Sequence, residues 1–377
     1  MSCAARRKRR AAAPERSGMK IVQADPATAR LLPDPAMITG FIPAFYPDSE
    51  LHVETVLAQG NCFLAAKEAE ILGRYFVKRV LGTIPMMFVV SILIFLFLHM
   101  IPGDPARQMA GKEATEQELV QIRQELGLND PLPNQYINYM EDLFHGDLGT
   151  SYKTGLPVSE MLLGRLKPTI QLMFSAMIWS VLLGIVIGVL SAVRRGKIAD
   201  YVGMFLAISG ISIPGFWLGL VLIQVFSVNL GLVPTGGLDS WQSYILPSLT
   251  LGCSIMAVLA RFSRSSMLET MREDYVRTAR AKGQREWLVV LRHAFRNSLV
   301  QVVTVAGLQI GGLLAGSVLV ETVFSIPGMG RLLVDSIAFR DYKVIQAELL
   351  FFSLEYIVIN LIVDLLYGVL NPKIRYQ

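Results

Sequence analysis

Carboxylates inside long apolar runs are the side chains of this sequence with the clearest capacity for chemistry. Glu355 and Asp364 lie within one run near the C-terminus, and Glu321 and Glu348 lie near the ends of apolar runs. An ionisable group is costly to bury in a hydrocarbon layer, so each needs either a function or a buried partner. Glu355 is the most deeply placed, which suits a proton-coupled carrier; we favour structural pairing with a polar group on a neighbouring helix.

Motifs of hydrolytic and metal-dependent enzymes are missing from the sequence. It contains no GxxxxGK[ST] phosphate loop, no HExxH zinc motif and no GxSxG nucleophile elbow. The three cysteines have no paired spacing, so they predict neither a disulfide framework nor a zinc site, and the four histidines are far apart. We therefore expect no catalytic site, no metal site and no cofactor, and any energy source must lie in a partner.

A cationic stretch at residues 264–297 is the most informative part of the chain. It carries eight lysines and arginines. Ser266–Glu269 has the sequence of a helix cap, so a helix is predicted to continue from there to Ala281, where Gly283 supplies a left-handed stop. A second helix is predicted to begin near Glu286. The succession of helix, glycine break and helix predicts a rigid projection between two apolar runs.

The surface of that projection is predicted from its small and charged residues. Ala279, Ala281 and Gly283 would allow a second backbone to approach closely, and the arginines would supply polar anchors. The alternative is a positively charged loop with interfacial helices, which the charge alone would satisfy. The length of the stretch and its signals for the start and end of each helix favour a docking surface. On the second helix, one apolar face is predicted from Leu288, Leu291 and Phe295.

Six apolar runs of membrane-spanning length position these features. The chain of 377 residues is 53% hydrophobic and 17% charged, with a mean hydropathy of +0.46, a balance that excludes a soluble multidomain protein. About 20 continuous apolar residues can cross a bilayer as a helix, and continuous runs argue against a barrel. Pro214 is expected to kink the third run. The predicted spans are 80–101, 169–193, 202–228, 245–262, 299–324 and 347–370.

The distribution of charge sets the predicted orientation. Sixteen lysines and arginines flank the spans on one side against nine on the other, which places both termini and the stretch 264–297 in the cytoplasm. The same topology accounts for the net charge of +5, so no nucleic-acid partner is expected. The outer loop, 102–167, is predicted to hold a helix capped at Thr115–Glu118 and stopped by Gly127, then an amphipathic helix over 136–144.

Residues 1–72 differ in composition from the rest of the chain. They contain a cluster of arginines and one lysine at positions 6–10, scattered prolines, and no sustained apolar period. Such a segment lacks the residues of a packed core, so it is predicted to be a disordered extension; a start codon assigned too far upstream is the alternative. The membrane part is predicted to occupy residues 73–377.

Several ordered motifs in residues 72–377 resemble those of the inner-membrane permeases of peptide and nickel ABC importers. The cytoplasmic stretch carries DYVRTARAKG at 274–283, followed by HAFRN at 293–297. The further matches are PGDP at 102–105, GDLG at 146–149, LPSLTLG at 246–252, Glu321 with Phe324 before PGMG at 327–330, and RDY at 340–342. The resemblance implies an all-α membrane protein with six transmembrane helices, cytoplasmic termini and the type I ABC importer permease architecture.

The resemblance also implies partners and a site. The chain would lie in the bacterial inner membrane with a second permease subunit, two cytoplasmic subunits that bind the ATP, and a periplasmic or lipid-anchored solute-binding protein. Its coupling loop, 264–297, would dock in a groove of an ATPase subunit. The coupling residues implied are Asp274, Arg277, Thr278, Ala279, Ala281, Lys282, Gly283, His293, Arg296 and Asn297. No residue that binds substrate is identified.

Within this family the closest resemblance is to the glutathione permeases. It is carried by residues 223–228, by residues 239–242 and by the Asn371–Pro372 ending. The implied substrate is glutathione or a short peptide. A nickel permease of the same family is the alternative, and a proton-coupled carrier that uses Glu355 is the alternative from another class. Two residues depart from the family pattern by standing where proline is common: Gln301 and Lys343.

Overall fold

The computed structural model describes residues 79–100, 105–111 and 114–370, and the extension predicted at 1–72 lies outside them. Within the described residues the regular structure is helical, apart from one isolated antiparallel bridge between Thr150 and Pro157. The helices in chain order are α1 Arg79–Met100, α2 Pro105–Ala110, α3 Glu116–Glu125, α4 Leu132–Phe144, α5 Val158–Val193, α6 Ile198–Ser212, α7 Gly215–Asn229, α8 Ile245–Thr270, α9 Asp274–Ala281, α10 Glu286–Val323, α11 Met329–Phe339 and α12 Tyr342–Leu370.

Five helices of the described chain are long and apolar enough to cross a membrane, namely α1, α5, α8, α10 and α12. The bent pair of α6 and α7 forms a sixth candidate span. Within the described residues the apolar runs lie within these helices, apart from the break at Ile213 and Pro214 and from Phe324, which lies one residue beyond α10. Two of the helices begin well before the runs that they contain. α5 begins at Val158 and α10 begins at Glu286, because the polar residues that precede each run continue the same helical hydrogen bonding.

The third apolar run is bent rather than continuous. α6 and α7 meet at an angle of 106° across Ile213 and Pro214. Ile213 has an extended backbone, with φ −83° and ψ 125°. The ring of Pro214 disfavours helical geometry at the preceding residue and removes a backbone donor, so α6 ends there. The segment 202–228 is therefore not one straight span, because the helix axis turns by 106° at Pro214.

α5 and α8 make the most extensive contact between two helices of the described chain. A Cβ placed at Gly188 of α5 would collide with Ser263 and with the backbone of α8. About two turns further towards the outer side of α5, the Ser180 hydroxyl donates to the Gly252 carbonyl at 2.8 Å. Small residues stabilise helix pairs in membranes because close backbones make many contacts and can share hydrogen bonds. The pair therefore forms a tightly joined unit through the bundle.

Local signals in the outer loop have the predicted geometry. Thr115 Oγ1 accepts the Glu118 N–H at 3.4 Å, and Glu118 Oε2 accepts the Thr115 N–H at 2.8 Å, which forms the capping box of α3. Gly127 follows α3 in the left-handed conformation, with φ +63°. The second outer helix, α4, begins earlier than predicted, at Leu132, because Pro133 is well suited to a first helical turn.

The connection between α11 and α12 is tied to the loop before α5. Asp341 is only 3% exposed. Its carboxylate accepts hydrogen bonds from Ser151 Oγ, from the Tyr152 N–H at 3.2 Å and from the Lys153 N–H at 3.4 Å. Burial, and after it the charge of Asp341, raises the pKa of Tyr152 to about 12. Segments 190 residues apart thereby form one contact, which we name the outer junction.

We expect Asp341→Ala to loosen the outer junction, because two backbone N–H groups and the Ser151 hydroxyl lose their shared acceptor. A buried donor left unpaired costs about 1–3 kcal/mol, so amide hydrogen exchange at Tyr152 and Lys153 should quicken by about tenfold or more. Exchange measured by mass spectrometry on the purified protein checks this. Asp335→Ala, on an exposed face of α11, is the control. Equal protection of the loop in both variants would contradict the assignment.

Candidate functional site

The cytoplasmic peg, which we define as residues 274–297, comprises α9, a glycine turn and the start of α10. It begins later than predicted. Ser266 is 4% exposed inside α8, and its hydroxyl donates to the Ser298 carbonyl at 3.2 Å. The buried face of α8 continues to Thr270, so the next helix starts only at Asp274. The prediction of a helix cap at Ser266 is wrong, because burial against α10 outweighs the capping sequence.

The turn of the peg has the geometry predicted from its glycine. Gly283 has φ +75°, and a Cβ there would meet no atom within 4 Å. Across the turn, Arg280 donates to Glu286 through Nη2 at 2.8 Å and through Nε at 3.2 Å. The hydrogen bonds to Glu286 raise the pKa of Arg280, which stays cationic. The two ends of the turn are thus joined while its glycine edge stays open.

Two further contacts join α10 to α9 and to the glycine turn. Asn297 Nδ2 donates to Tyr275 Oη at 2.8 Å. His293 Nε2 lies 2.9 Å from Gln284 Oε1, which hydrogen-bonds the start of α10 to the turn. His293 and Asn297, which the family resemblance implicates in coupling, therefore brace the peg internally. A force applied to its edge would move the whole peg rather than bend it.

Most of the implied coupling residues lie on the surface of the peg. Ala279 is the exception, because it is 6% exposed and packs with Val276 and Val289 in a small apolar cluster inside the peg. Its side chain therefore does not face a partner, and the prediction of a docking surface at Ala279 is corrected. His293 is half-buried. The exposed residues are Asp274, Arg277, Thr278, Ala281, Lys282, Gly283, Arg296 and Asn297.

The first turns of α10 are wider than an α-helix. Residues Val289–Phe295 are π-helical, with about one residue more per hydrogen-bonded turn than the α-helical repeat. The apolar face predicted from Leu288, Leu291 and Phe295 assumed 3.6 residues per turn and is wrong, since Leu291 is 52% exposed. The side chains that this segment buries are Val289, Val290 and Ala294.

A partly buried ion pair lies beside the peg, and no spacing in the sequence indicates it. Arg264 Nε donates to Asp200 Oδ1 at 2.7 Å, and its Nη2 donates to Oδ2 at 2.9 Å. The Gly196 N–H donates to the same carboxylate at 3.0 Å. Arg264 belongs to the cationic stretch by sequence, but its charge is used to hold α8 to the start of α6. The single sequence signal was an aspartate at the start of an apolar run.

Glu321 has a structural role near the outer end of α10. It is 0% exposed, and its carboxylate accepts hydrogen bonds from Thr169 Oγ1 at 2.7 Å and from the Arg331 N–H at 3.1 Å. The Thr169 hydroxyl in turn accepts the Met329 N–H at 2.9 Å. A Cβ at Gly328 would collide with the carboxylate. Glu321 therefore accepts a backbone hydrogen bond from the first turn of α11. This supports pairing of the buried carboxylate with polar groups on neighbouring helices, rather than a role in transport.

Glu348 and Glu355 lie seven residues apart on α12. Glu348 is 0% exposed, and neither of its carboxylate oxygens has a hydrogen-bond partner within the described part of the chain. Glu355 is half-buried, and its Oε2 is buried without a hydrogen-bond partner in the same part of the chain. Glu348 is the more enclosed of the two because the neighbouring Val344 and Ala347 pack in an apolar cluster with residues of α5 and α11. The side chain of Asp364 lies outside the described residues.

The chain matches known transport proteins along most of its length. Residues 184–376 match the family described as the inner membrane component of binding-protein-dependent transport systems. Residues 72–173 match the N-terminal part of a membrane component of such systems. The chain belongs to this family.

Relatives of this permease cover the same part of the chain. The glutathione transport system permease protein GsiC of Pectobacterium atrosepticum is 54% identical over 303 residues, which are 80% of this chain and 99% of that protein. GsiC of Salmonella typhimurium is 55% identical and GsiC of Escherichia coli is 54% identical, with the same coverage. The MetNI methionine ABC transporter in an inward-facing conformation has a TM-score of 0.49 and 19% identity, covering 56% of this chain and 97% of that chain.

Family membership fixes the class of this permease. It is a multi-pass inner-membrane subunit of an ABC importer, which confirms the all-α membrane fold and the permease class predicted from sequence. An importer of this kind works with a solute-binding protein and an ATPase. The individual coupling residues stay a prediction, which the geometry of the peg refines.

Proposed function

We propose that this permease, together with a second, similar permease subunit, forms the pathway by which glutathione crosses the inner membrane. The observation that carries the substrate is the 54–55% identity to glutathione permeases over 99% of their length. A solute-binding protein delivers the substrate on the outer side. Two ATPase subunits bind the ATP and supply the energy, so the chain needs neither a nucleotide site nor a cofactor of its own.

The peg is the proposed contact with an ATPase subunit. Its open edge is formed by Ala281, Lys282 and Gly283, which combine small side chains with one cation and are all exposed. The peg connects directly to α8 on one side and α10 on the other, and its internal hydrogen bonds resist bending. Closure of the ATPases on ATP would therefore shift both helices and bias the bundle between two states.

Reconstitution of the complete importer tests the proposed substrate. The permease pair, the ATPases and the binding protein in proteoliposomes should take up radiolabelled glutathione only when ATP is enclosed with the ATPases. Unlabelled glutathione should compete for uptake far better than simple dipeptides or nickel. Uptake of nickel or of a dipeptide in place of glutathione would overturn the substrate. Uptake by the permease alone, driven by a pH gradient and lost in Glu355→Gln, would overturn the importer mechanism in favour of the carrier.

A matched pair of alanines separates docking from folding in the peg. We expect Ala281→Leu to reduce substrate-stimulated ATP hydrolysis by about tenfold or more at unchanged thermal stability, since its added side chain projects into the space of a partner. We expect Ala279→Leu to destabilise the peg by about 1–3 kcal/mol, since it overfills the cluster around Val289. Melting of the purified permease and ATPase assays of the complex check both results. Equal melting of the two variants would contradict the burial of Ala279.

A further inference from the structure

A cavity of about 650 Å³ lies on the outer side of the protein, opposite the peg. It is lined by the outer end of α1, by α3 and α4 with the turn between them, and by the first turn of α12, and it is open to solvent on one side. Its volume falls within the roughly 300–1,000 Å³ of small-molecule sites. Neither the family match nor the coupling mechanism assigns it a role. We name it the outer cavity.

The walls of the outer cavity carry charges of both signs. Arg123 and Lys343 contribute cations, and Asp130 and Asp142 contribute carboxylates. The Lys343 ammonium forms no ion pair and no hydrogen bond with the described residues. Opposite charges within one cavity suit a zwitterion, because each ionised group of the ligand can find a counter-charge.

Two tyrosine hydroxyls in the same walls lack hydrogen bonds. Tyr342 is 8% exposed, and its hydroxyl is buried without a partner in the described part of the chain. The hydroxyl of Tyr139, next to Gln346, also has no hydrogen bond of acceptable geometry. Burial raises the pKa of Tyr139 to about 12, so its hydroxyl stays a donor at neutral pH. Both hydroxyl oxygens are shielded from the cavity as well as from water, so the two tyrosines contribute to its wall and not to its hydrogen bonding.

Lys343 is also one of the two residues at which this sequence departs from the family pattern, in which proline is common. Its side chain lies over Gly149, where a Cβ would be 3.2 Å from Lys343 Cδ. Its neighbour Asp341 is fixed by the outer junction. The aliphatic part of Lys343 thus passes close to Gly149, and the residue lies in the wall of the outer cavity.

We propose that the outer cavity binds a short zwitterionic peptide, with a carboxylate of the peptide at Lys343 and its ammonium group at Asp142. The proposal rests on the proposed function, since it gives the delivered substrate a binding site before the translocation pathway. Glutathione fits this chemistry, because at neutral pH it carries two carboxylates, one ammonium group and two peptide-type amides.

Equilibrium binding of radiolabelled glutathione to the purified permease–ATPase complex, without binding protein and without ATP, tests the site. We expect Lys343→Met to weaken binding by about tenfold, the scale of one charge-assisted hydrogen bond, and Lys343→Arg to retain most of the affinity. Lys153→Met is the matched control, because Lys153 lies over the Phe339 ring and outside the cavity. Glutathione diester should bind weakly to the wild type, with no further loss in Lys343→Met.

A second measurement uses the unaltered protein. Glutathione should protect Lys343 from a membrane-impermeant amine reagent, read by mass spectrometry, and should leave Lys153 unprotected. Equal labelling of Lys343 with and without glutathione, or wild-type affinity in Lys343→Met, would overturn the outer cavity as a peptide site. If the importer carries a dipeptide instead of glutathione while that dipeptide still protects Lys343, the proposed substrate fails and the cavity site stands.

Discussion

In the Gly283→Arg permease, substrate-loaded binding protein is expected to stimulate almost no ATP hydrolysis by the assembled importer. We expect a fall of about tenfold or more, because the arginine would occupy the open edge of the peg that is proposed to meet the ATPase. The backbone at Gly283 has φ +75°, and a Cβ there meets nothing within 4 Å. A left-handed backbone costs a non-glycine residue roughly 1–2 kcal/mol, which a membrane bundle tolerates. Membrane abundance should therefore be normal.

Two controls separate the bulk of the new side chain from the backbone conformation. Gly283→Asn should keep most of the stimulation, since asparagine accepts positive φ and is short. Gly146→Arg places the same side chain on the outer loop at φ +78°, again with nothing within 4 Å of the Cβ, and should also keep it. Wild-type stimulation in Gly283→Arg at normal abundance would remove this edge of the peg from the coupling mechanism.

Glu321→Ala is expected to have the largest effect on stability. The buried Thr169 hydroxyl and the partly buried Arg331 N–H lose their acceptor, and a cavity opens beside Gly328. We expect a loss of about 3–5 kcal/mol from unpaired groups and cavity together. The variant should show a lower melting temperature in detergent and reduced abundance in the membrane, measured by fluorescence-detected gel filtration.

Two other variants define the cause of that loss. Glu321→Gln keeps the volume and one acceptor, so its melting temperature should lie between those of the wild type and Glu321→Ala. Glu160→Ala removes an exposed carboxylate from the first turn of α5 and should melt like the wild type. A Glu321→Ala permease that melts with the wild type would show that the first turn of α11 does not depend on this carboxylate.

Signals confined to a few neighbouring residues predicted this structure well. The capping box at Thr115–Glu118 and the left-handed glycines at 127 and 283 form as expected, because their partners lie within one turn of chain. Ser266 carries a similar signal and is nevertheless inside α8. The difference is tertiary, since Ser266 is buried against α10 whereas Thr115 begins a helix of the outer loop. Capping sequence is thus overridden where a helix continues to bury its face.

Features that depend on packing could not be read from spacing. The proline at 214 predicts a break, but the angle of 106° depends on what α6 and α7 contact. Ala279 and Ala281 look equivalent in sequence, yet Ala279 faces Val289 because of where α10 lies. The contact of Asp341 with Ser151 joins residues 190 positions apart. The sequence indicated which residues form the peg, but it did not indicate which of their side chains are exposed.

The contact between α5 and α8 has a mechanical consequence. α8 contains 26 residues, so at a rise of 1.5 Å per residue it is about 39 Å long, comparable to the thickness of a bilayer. Its inner end is three residues from the peg, and the glycines at 188 and 252 join it to α5 along its length. The two helices thus act as one lever. Under the proposed docking of the peg, a tilt imposed by the ATPase in the cytoplasm would become a displacement at the periplasmic entrance without any relay of charges across the membrane.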